Sequence, residues 1–352
     1  PKNEKLNFGV FLDSCPDRWG RMLMDRREAV MARREKRAAK HFLESDYLLG
    51  VFDGYRMGGL RFKLNVEGSF LNDDKNMAAP PWTSLRELEQ ASIKLEEDNS
   101  GDEESLKWIN LLIAPGSSLG GARPKASVSD PSGHLWIAKF PSIRDKKNMG
   151  AWEMATNVLA SKAGLNIAEG VIKQFNSKQH TYLTKRFDRT TGGERIHFAS
   201  AMTLLGYADG AGRDAGVSYL EIAEFLMRNG ANVSADLEEL WRRMVFYVCV
   251  KNTDDHLRNH GFLLTDKGWR LSPAYDVNPN EYGSGLSLNI SEKDNSLDLG
   301  LALSVAEHFR VDAKKASVII DRVKSSVGHW RSVAKDLGMS KTEQDRMSKA
   351  FE

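Results

Sequence analysis

The 352-residue chain predicts an α+β fold in two lobes, the first containing sheet and the second all-helical. Three observations predict it. Short period-two apolar runs bounded by turn residues fill much of the first half. Helical patterns with capping signatures dominate from about residue 198. A polar segment rich in Asp, Asn and His lies between a long helical pattern and a short hairpin pattern in the second half. The division is placed at residues 1–187 and 188–352, and a chain of this length can bury a sizeable core in each part.

Composition sets further bounds. The chain is 41% hydrophobic and 28% charged, as in an ordinary soluble globular protein, and its net charge of +2 implies no global attraction to nucleic acid or membrane. Two cysteines, Cys15 and Cys249, cannot form a disulfide framework, and Cys249 sits in an apolar run. That pattern fits a reducing cytoplasm. The longest apolar run, residues 244–250, is too short to cross a bilayer, and no signal-peptide pattern is present. The first residue is Pro1, as in a trimmed chain or mature fragment.

The elements follow in order. Residues 17–41 read as a basic helix with nine Arg or Lys, either a solvated face or a surface for nucleic acid or an acidic partner. Residues 47–64 read as two short strands about the turn Asp53-Gly54, and residues 65–82 as a polar surface loop. Ser84-x-x-Glu87 and Ser100-x-x-Glu103 open two helices as capping boxes. After a glycine-rich stretch, residues 125–128 and 134–140 form a hairpin across Asp130-Pro131-Ser132-Gly133. A helix over 151–163 stops at Gly164, and strands near 170–175 and 181–187 follow. Ser218-x-x-Glu221 caps one later helix and Ser234 begins another, which runs to the polar segment. Residues 261–265 and 269–271 make a small hairpin, and 313–337 and 341–351 close the chain as helices. Trp108, Trp136 and Trp241 read as core.

The polar segment carries the chemistry. Asp254 is followed five positions later by Asn259 and, seventeen beyond that, by Asp276. This order and spacing match the parts list of a kinase, giving the two-lobed fold a protein-kinase-like reading. Phosphoryl transfer has a loose, highly charged transition state. One carboxylate must orient the attacking hydroxyl, while an amide oxygen and a second carboxylate hold metal against the phosphates. A rival is a hydrolytic metal site built from His256, His260, Asp254 and Asp255, but it leaves Asn259 without a task. A solvated Asp-rich loop is the plainer alternative.

Two features of the first half support the kinase reading. Gly116, Gly120 and Gly121 let backbone N–H groups approach phosphate without a Cβ in the way; alone, such a stretch is usually a turn. Lys139 shares a strand face with Leu135 and Ile137, so its ammonium needs a partner. ATP phosphates and the carboxylate of Glu153 would serve, whereas an edge-strand lysine would snorkel to solvent.

Taken with residues 121–125, 186–189, 253–259 and 275–276, and with the segment Pro16-Asp17-Arg18-Trp19-Gly20-Arg21, the sequence resembles the HipA family of serine/threonine kinase toxins from bacterial toxin–antitoxin modules, over about residues 8–320. The resemblance implies that ATP and Mg²⁺ are the cofactors, that Asp254 is the catalytic base, and that Asn259 and Asp276 are the metal ligands. Lys139 would meet the phosphates, and Gly120, Gly121, Ala122, Arg123, Pro124 and Lys125 would form the phosphate loop. Lys185, Arg186 and Phe187 correspond to the adenine-contacting linker. His256, Leu257 and Arg258 belong to the ATP-binding loop, and Ser118 to the autophosphorylated serine that switches the kinase off. The implied partners are a small helix-turn-helix antitoxin of HipB type, operator DNA through that antitoxin, and a protein substrate such as glutamyl-tRNA synthetase; no membrane is implied. The sequence departs from the family where Lys185 stands in a commonly acidic position, where residues 198–206 are less polar, and where the family's first subdomain is missing or trimmed. Two readings stand beside it: a small-molecule or lipid kinase sharing Asp-x-His-x-x-Asn, and a co-repressor without kinase activity.

Overall fold

A computed structural model describes residues 7–73, 80–97, 106, 108–110, 112, 121 and 123–352. The chain divides into two compact units, one formed by residues 1–150 and 170–197 and the other by 151–169 and 198–352. Segment 151–169 lies within the first stretch in sequence but in the second unit in space.

The first unit is built on a four-stranded antiparallel sheet. Its strands are β1 (Lys125–Ser129), β2 (Leu135–Lys139), β3 (Gly170–Gln174) and β4 (His180–Lys185), in the order β1-β2-β4-β3. The β1–β2 turn is fixed by Asp130. Its Oδ1 accepts from the Ser132 and His134 backbone N–H groups, and its Oδ2 from the Trp136 indole, while Gly133 takes a left-handed φ of 82°.

Period two sorts the sheet faces. Ala126, Val128, Trp136, Ala138 and Leu183 face a core shared with Trp19 and Leu23 of α2 (Arg18–Arg34) and with Leu85, Leu88, Ala91 and Leu95 of α4 (Leu85–Glu97). The opposite face carries Lys125, Ser127, Ile137, Lys139, Tyr182 and Thr184, which pair across the strands. One charged group crosses the core: Glu89 of α4 is fully buried and accepts from the Asn176 and Ser177 backbones and the Thr181 hydroxyl, which anchors the β3–β4 turn.

The N-terminal part of this unit corrects two expectations. Residues 47–64 form no pair of strands. The first half of that run is helical, as α3 (Glu44–Gly50), which follows the short α1 (Gly9–Leu12), and Asp53–Tyr55 is a 3₁₀ turn. A short apolar run fits helix or strand equally by pattern. Here tertiary contacts decide: the buried Arg56 donates to the carbonyls of Ser14, Leu48 and Val51, which satisfies the end of the helix. The basic helix stops at Arg34 rather than 41, where Lys36 adopts a left-handed φ of 54° and the Arg37 N–H bonds back to Ala32. The 65–82 loop is described in part, and among its described residues Leu71 bridges to Phe62 and Pro81 to Ser129. The helix expected from Ser100 begins outside the described residues, although 106, 108–110 and 112 are helical.

Arginines tie this unit together. Asp188 is wholly buried and paired with Arg186 at 2.7 Å and Arg189 at 2.5 Å. The Arg186, Arg189 and Arg195 guanidiniums also donate to backbone carbonyls between Asp53 and Gly58, and Asp188 accepts from the Gly58 N–H. Burial alone would raise the Asp188 carboxyl, yet the two guanidiniums hold it below its usual range.

The second unit is not all-helical, a further correction. It contains a three-stranded sheet of β5 (Phe198–Ser200), β6 (Gly261–Thr265) and β7 (Gly268–Leu271) in that order. Three residues at 198–200 are too few to show a period, and β5 becomes a strand only by pairing with β6. The helices are α5 (Met149–Ala163), α6 (Ala201–Leu205), α7 (Tyr219–Asn229), α8 (Val233–Val250), α9 (Leu299–Ser304), α10 (Ala313–Gly328), α11 (Trp330–Asp336) and α12 (Lys341–Met347). The helix expected over 313–337 is thus broken at His329. Gly164 ends α5 with φ 86°, and the Ser218–Glu221 capping box opens α7, both as expected. Buried Trp241, Met244, Val245, Phe246 and Tyr247 make α8 the central helix of this core.

Removing Asp188 would strand two buried cations. Asp188→Ala is therefore expected to destabilise the protein by about 3–5 kcal/mol in urea unfolding. Breaking the solvent-exposed Glu224–Arg228 pair with Arg228→Ala should cost under about 0.5 kcal/mol. Equal effects would show that the Asp188 cluster is not the tie described.

Candidate active site

The helix α8 ends where the chemistry begins. Lys251 takes a left-handed φ of 48°, and the Asn252 N–H bonds back to the Tyr247 carbonyl at 2.9 Å. The chain then leaves as the polar 252–260 loop, closing in a 3₁₀ turn over Leu257–Asn259.

Nearly every residue of this loop is held by a neighbour. Asn252 is buried and its Oδ1 accepts from the Asn278 N–H at 3.1 Å. The Thr253 hydroxyl accepts from Asn280 Nδ2 at 2.7 Å, and its carbonyl accepts from the Ser287 hydroxyl at 2.7 Å. The Arg258 carbonyl accepts from the Tyr275 hydroxyl at 2.6 Å, and the Arg258 guanidinium pairs with Asp209 at 3.0 Å. Asp255 lies beneath the loop with no exposed surface. Its two oxygens accept from the Tyr219 hydroxyl of α7 at 2.5 Å and the Ser287 N–H at 2.6 Å.

The side chain of Asp254 points outward instead, 70% exposed, with His256 Nε2 at 3.7 Å from its Oδ1. Asn259 is buried and donates its Nδ2 to the Asp254 carbonyl at 2.7 Å. Its amide nitrogen is thereby committed, which leaves Oδ1 as the donor atom for a cation. Asp276 follows β7 and Tyr275 at φ 54°, a left-handed conformation uncommon outside glycine, and its Oδ1 accepts from Asn278 Nδ2 at 2.9 Å. The donors present are hard oxygens, an amide and carboxylates, which suit Mg²⁺ rather than a softer metal.

The rival His-based metal site is not assembled. Among the described residues no group of three or more His, Cys, Asp or Glu could hold a metal ion. His260 is fully buried, its Nε2 lies 3.1 Å from the Asp255 carbonyl, and burial lowers its pKa to about 3.

The first unit places the other predicted residues on its own sheet. Lys139 lies at the end of β2, paired in register with Lys125 and Tyr182, with its Nζ 5.8 Å from the Tyr182 ring centroid. Lys125 is buried against Asp17 at 2.8 Å. Asp17 also caps α2 by accepting from the Gly20 N–H, so the Pro-Asp-Arg-Trp-Gly-Arg segment contributes the counter-ion at the base of the glycine stretch. Gly121 has φ 108°, and a Cβ there would come within 3.2 Å of Lys125 Nζ. Arg123 forms a bidentate pair with Asp145 at 2.5 Å, and the Pro124 carbonyl accepts from the Phe140 N–H. Ser118, Gly120 and Ala122 lie outside the described residues.

Side-chain direction alters the reading of the predicted linker. Lys185 pairs with Trp136, on the face opposite Lys139, and its Nζ lies 6.0 Å from that indole. The Arg186 guanidinium is committed to Asp188 and to the Tyr55 and Arg56 carbonyls. Phe187 is half-buried, and Glu153 is buried in the first turns of α5. Sequence reasoning weighed Asp255 only as a ligand of the rival metal site, and it missed Asn278, Asn280 and Ser287. Asn278 and Asn280 alternate with Asp276, a spacing that would have placed them on one side of an extended segment.

Burial pushes the Asp255 carboxyl up to about 7, whereas in an unfolded chain it ionises near about 3.9. The folded state keeps a proton that the unfolded state has lost, so this contribution to stability is full below about pH 4 and lost as pH rises to about 7. Asp255→Asn removes the titration. Across that window the variant should gain stability relative to wild type by up to about 1.4 kcal/mol per pH unit, read from urea midpoints. A pH-independent difference would contradict the assignment.

Comparison with known proteins supplies the family. A model described as the HipA-like C-terminal domain matches residues 117–330. The serine/threonine-protein kinase toxin HipA of Shewanella oneidensis is 25% identical, over 69% of this chain and 60% of that protein. A Haemophilus influenzae protein is 27% identical, over 46% of this chain and 52% of its own length. The chain thus spans about half to three-fifths of the length of these curated relatives. The solved structure of Shewanella oneidensis HipA with HipB and operator DNA aligns with a TM-score of 0.62 at 18% identity, covering 97% of this chain and 82% of that one, which shows a shared α+β fold. With residues 117–330 of 352 under one family model, the chain belongs to the HipA family.

Proposed function

We propose that this protein is an ATP- and Mg²⁺-dependent kinase that phosphorylates a serine or threonine hydroxyl of a host protein, as a HipA-type toxin. The observation that carries the reading is the 252–260 loop. It presents one carboxylate, Asp254, to solvent on a backbone pinned at Asn252, Thr253, Asp255 and Arg258.

Each residue then has a task. Asp254 orients the acceptor hydroxyl and takes its proton at a carboxylate oxygen. Asn259 Oδ1 and the Asp276 carboxylate would hold Mg²⁺, and Lys139 and the 120–125 stretch would hold the phosphates. Lys185 and Arg186, with side chains turned to Trp136 and Asp188, would meet adenine through their backbone, beside Phe187. When bound, Mg-ATP supplies the phosphoryl group and neutralises its developing charge. Rigid positioning accounts for much of the rate, and the hydrogen bonds around Asp254 are the means.

Regulation and partners follow the family pattern. Ser118 would be the autophosphorylated off-switch. A HipB-type helix-turn-helix antitoxin would bind the protein and bring it to operator DNA, as in the Shewanella complex named HipA, HipB and operator DNA. The cytoplasm is the proposed location. Among the described residues no helix is long and apolar enough to cross a membrane.

Two measurements test the reading. Asp254→Asn should lower phosphate transfer by about 10²–10⁴-fold with stability held within about 0.5 kcal/mol, because the side chain is exposed. Labelling a host lysate with radioactive ATP should give labelled protein with wild type and none with the variant; a labelled metabolite without labelled protein would contradict it. Intact mass after ATP incubation should rise by one phosphate in wild type and not in Ser118→Ala. An unchanged rise in that variant would reject the off-switch.

A further inference from the structure

A polar cavity of about 610 Å³ opens beside the 252–260 loop, entirely within the second unit, and its lining includes Thr253 and His256, one position before and two positions after Asp254. Gly210, Gly212, Gly283 and Gly285 line it without side chains, together with the exposed Arg213 and Tyr282. Resting on the kinase reading above, we propose that this cavity receives the phosphate acceptor, and that the acceptor enters as an extended polypeptide segment.

Three observations argue for it. The first is position: His256 lines the cavity, and its Nε2 lies 3.7 Å from a carboxylate oxygen of the exposed Asp254. The second is the lining. Sites for small molecules of this volume are lined mostly by apolar and aromatic side chains. Here four of the lining residues are glycines and most of the others are polar, a lining that suits recognition of another main chain by hydrogen bonds.

The third is mechanical coupling of the walls to the 252–260 loop. Ser287 donates its N–H to Asp255 and its hydroxyl to the Thr253 carbonyl, and its own carbonyl accepts from the Arg213 N–H at 2.8 Å. Both walls therefore meet at one residue that also holds the loop. Gly283 packs so closely that a Cβ there would come within 2.5 Å of Thr253 Cγ2. A segment seated between these walls is in register with Asp254 because the same hydrogen bonds fix both.

Two variants test the cavity without threatening the fold. Gly210 has φ 86°, and a Cβ there would meet open space, so Gly210→Asn puts a side chain at the wall in a conformation asparagine tolerates. Tyr282 is 86% exposed, so Tyr282→Ala removes only rim surface. The probe is a positional-scanning library of serine- and threonine-containing peptides with Mg-ATP. The expected result is that Gly210→Asn raises the peptide KM at least tenfold, that both variants change which residues are preferred beside the hydroxyl, and that the KM for ATP stays within twofold. Wild type and variants with identical peptide KM and preference would overturn the cavity assignment while leaving the kinase reading intact. Transfer by wild type only to small-molecule hydroxyls of a lysate would overturn the polypeptide acceptor. No transfer to any acceptor, with wild type equal to Asp254→Asn, would overturn the kinase reading itself and the proposal with it.

Discussion

A carboxyl group without exposed surface, Asp255, ties three parts of the second unit together. Left unsatisfied, it would cost several kcal/mol, so its oxygens must meet donors. Those donors are the Tyr219 hydroxyl and the Ser287 N–H, which come from a helix and a loop far apart in sequence. Fixing Asp255 therefore fixes α7, the 283–287 wall and the 252–260 loop against one another. Its neighbour Asp254 is turned outward by the same backbone. One buried and one exposed aspartate, adjacent in sequence, thus divide the labour between holding the loop and facing solvent.

The first unit uses charge in a related way. Asp17, Asp53 and Asp188 each meet buried or half-buried cations, and several of the guanidiniums end on backbone carbonyls of the 51–58 segment. That segment has little regular hydrogen bonding of its own, and arginines supply donors that a helix or sheet would otherwise provide. Lys125 and Lys139 share a sheet face, and the partner of Lys125 is Asp17, from the start of α2.

Much of this was legible in the sequence, and the limits have physical causes. The Asp130-to-Gly133 turn, Gly164 and the Ser218–Glu221 box depend on local backbone chemistry, and all formed where their residues stand. The order and spacing of Asp254, Asn259 and Asp276 were readable as a pattern that phosphoryl transfer would use, and the roles proposed for them rest on that pattern. Residues 47–50 were misread because an apolar run there fits helix or strand and the decision lies with Arg56, whose buried guanidinium joins the Leu48 and Val51 carbonyls to that of the distant Ser14. The strand β5 was missed because pairing with β6 creates it. Asn278, Asn280 and Ser287 were passed over, and Asp255 was weighed only as a metal ligand, for a related reason: their roles here are contacts, which residue type alone does not disclose. The direction of Lys185 and Arg186 likewise came from pairing register and from Asp188.

The proposed kinase would hold Mg²⁺ through oxygen donors at Asn259 and Asp276 of the second unit, held in place by the loop's hydrogen bonds. Calorimetric titration with a non-hydrolysable ATP analogue, with and without Mg²⁺, tests it most directly. Wild type should bind more tightly with Mg²⁺, and Asp276→Asn should lose most of that gain while keeping its metal-free affinity. Equal Mg²⁺ dependence in the two proteins would contradict the account.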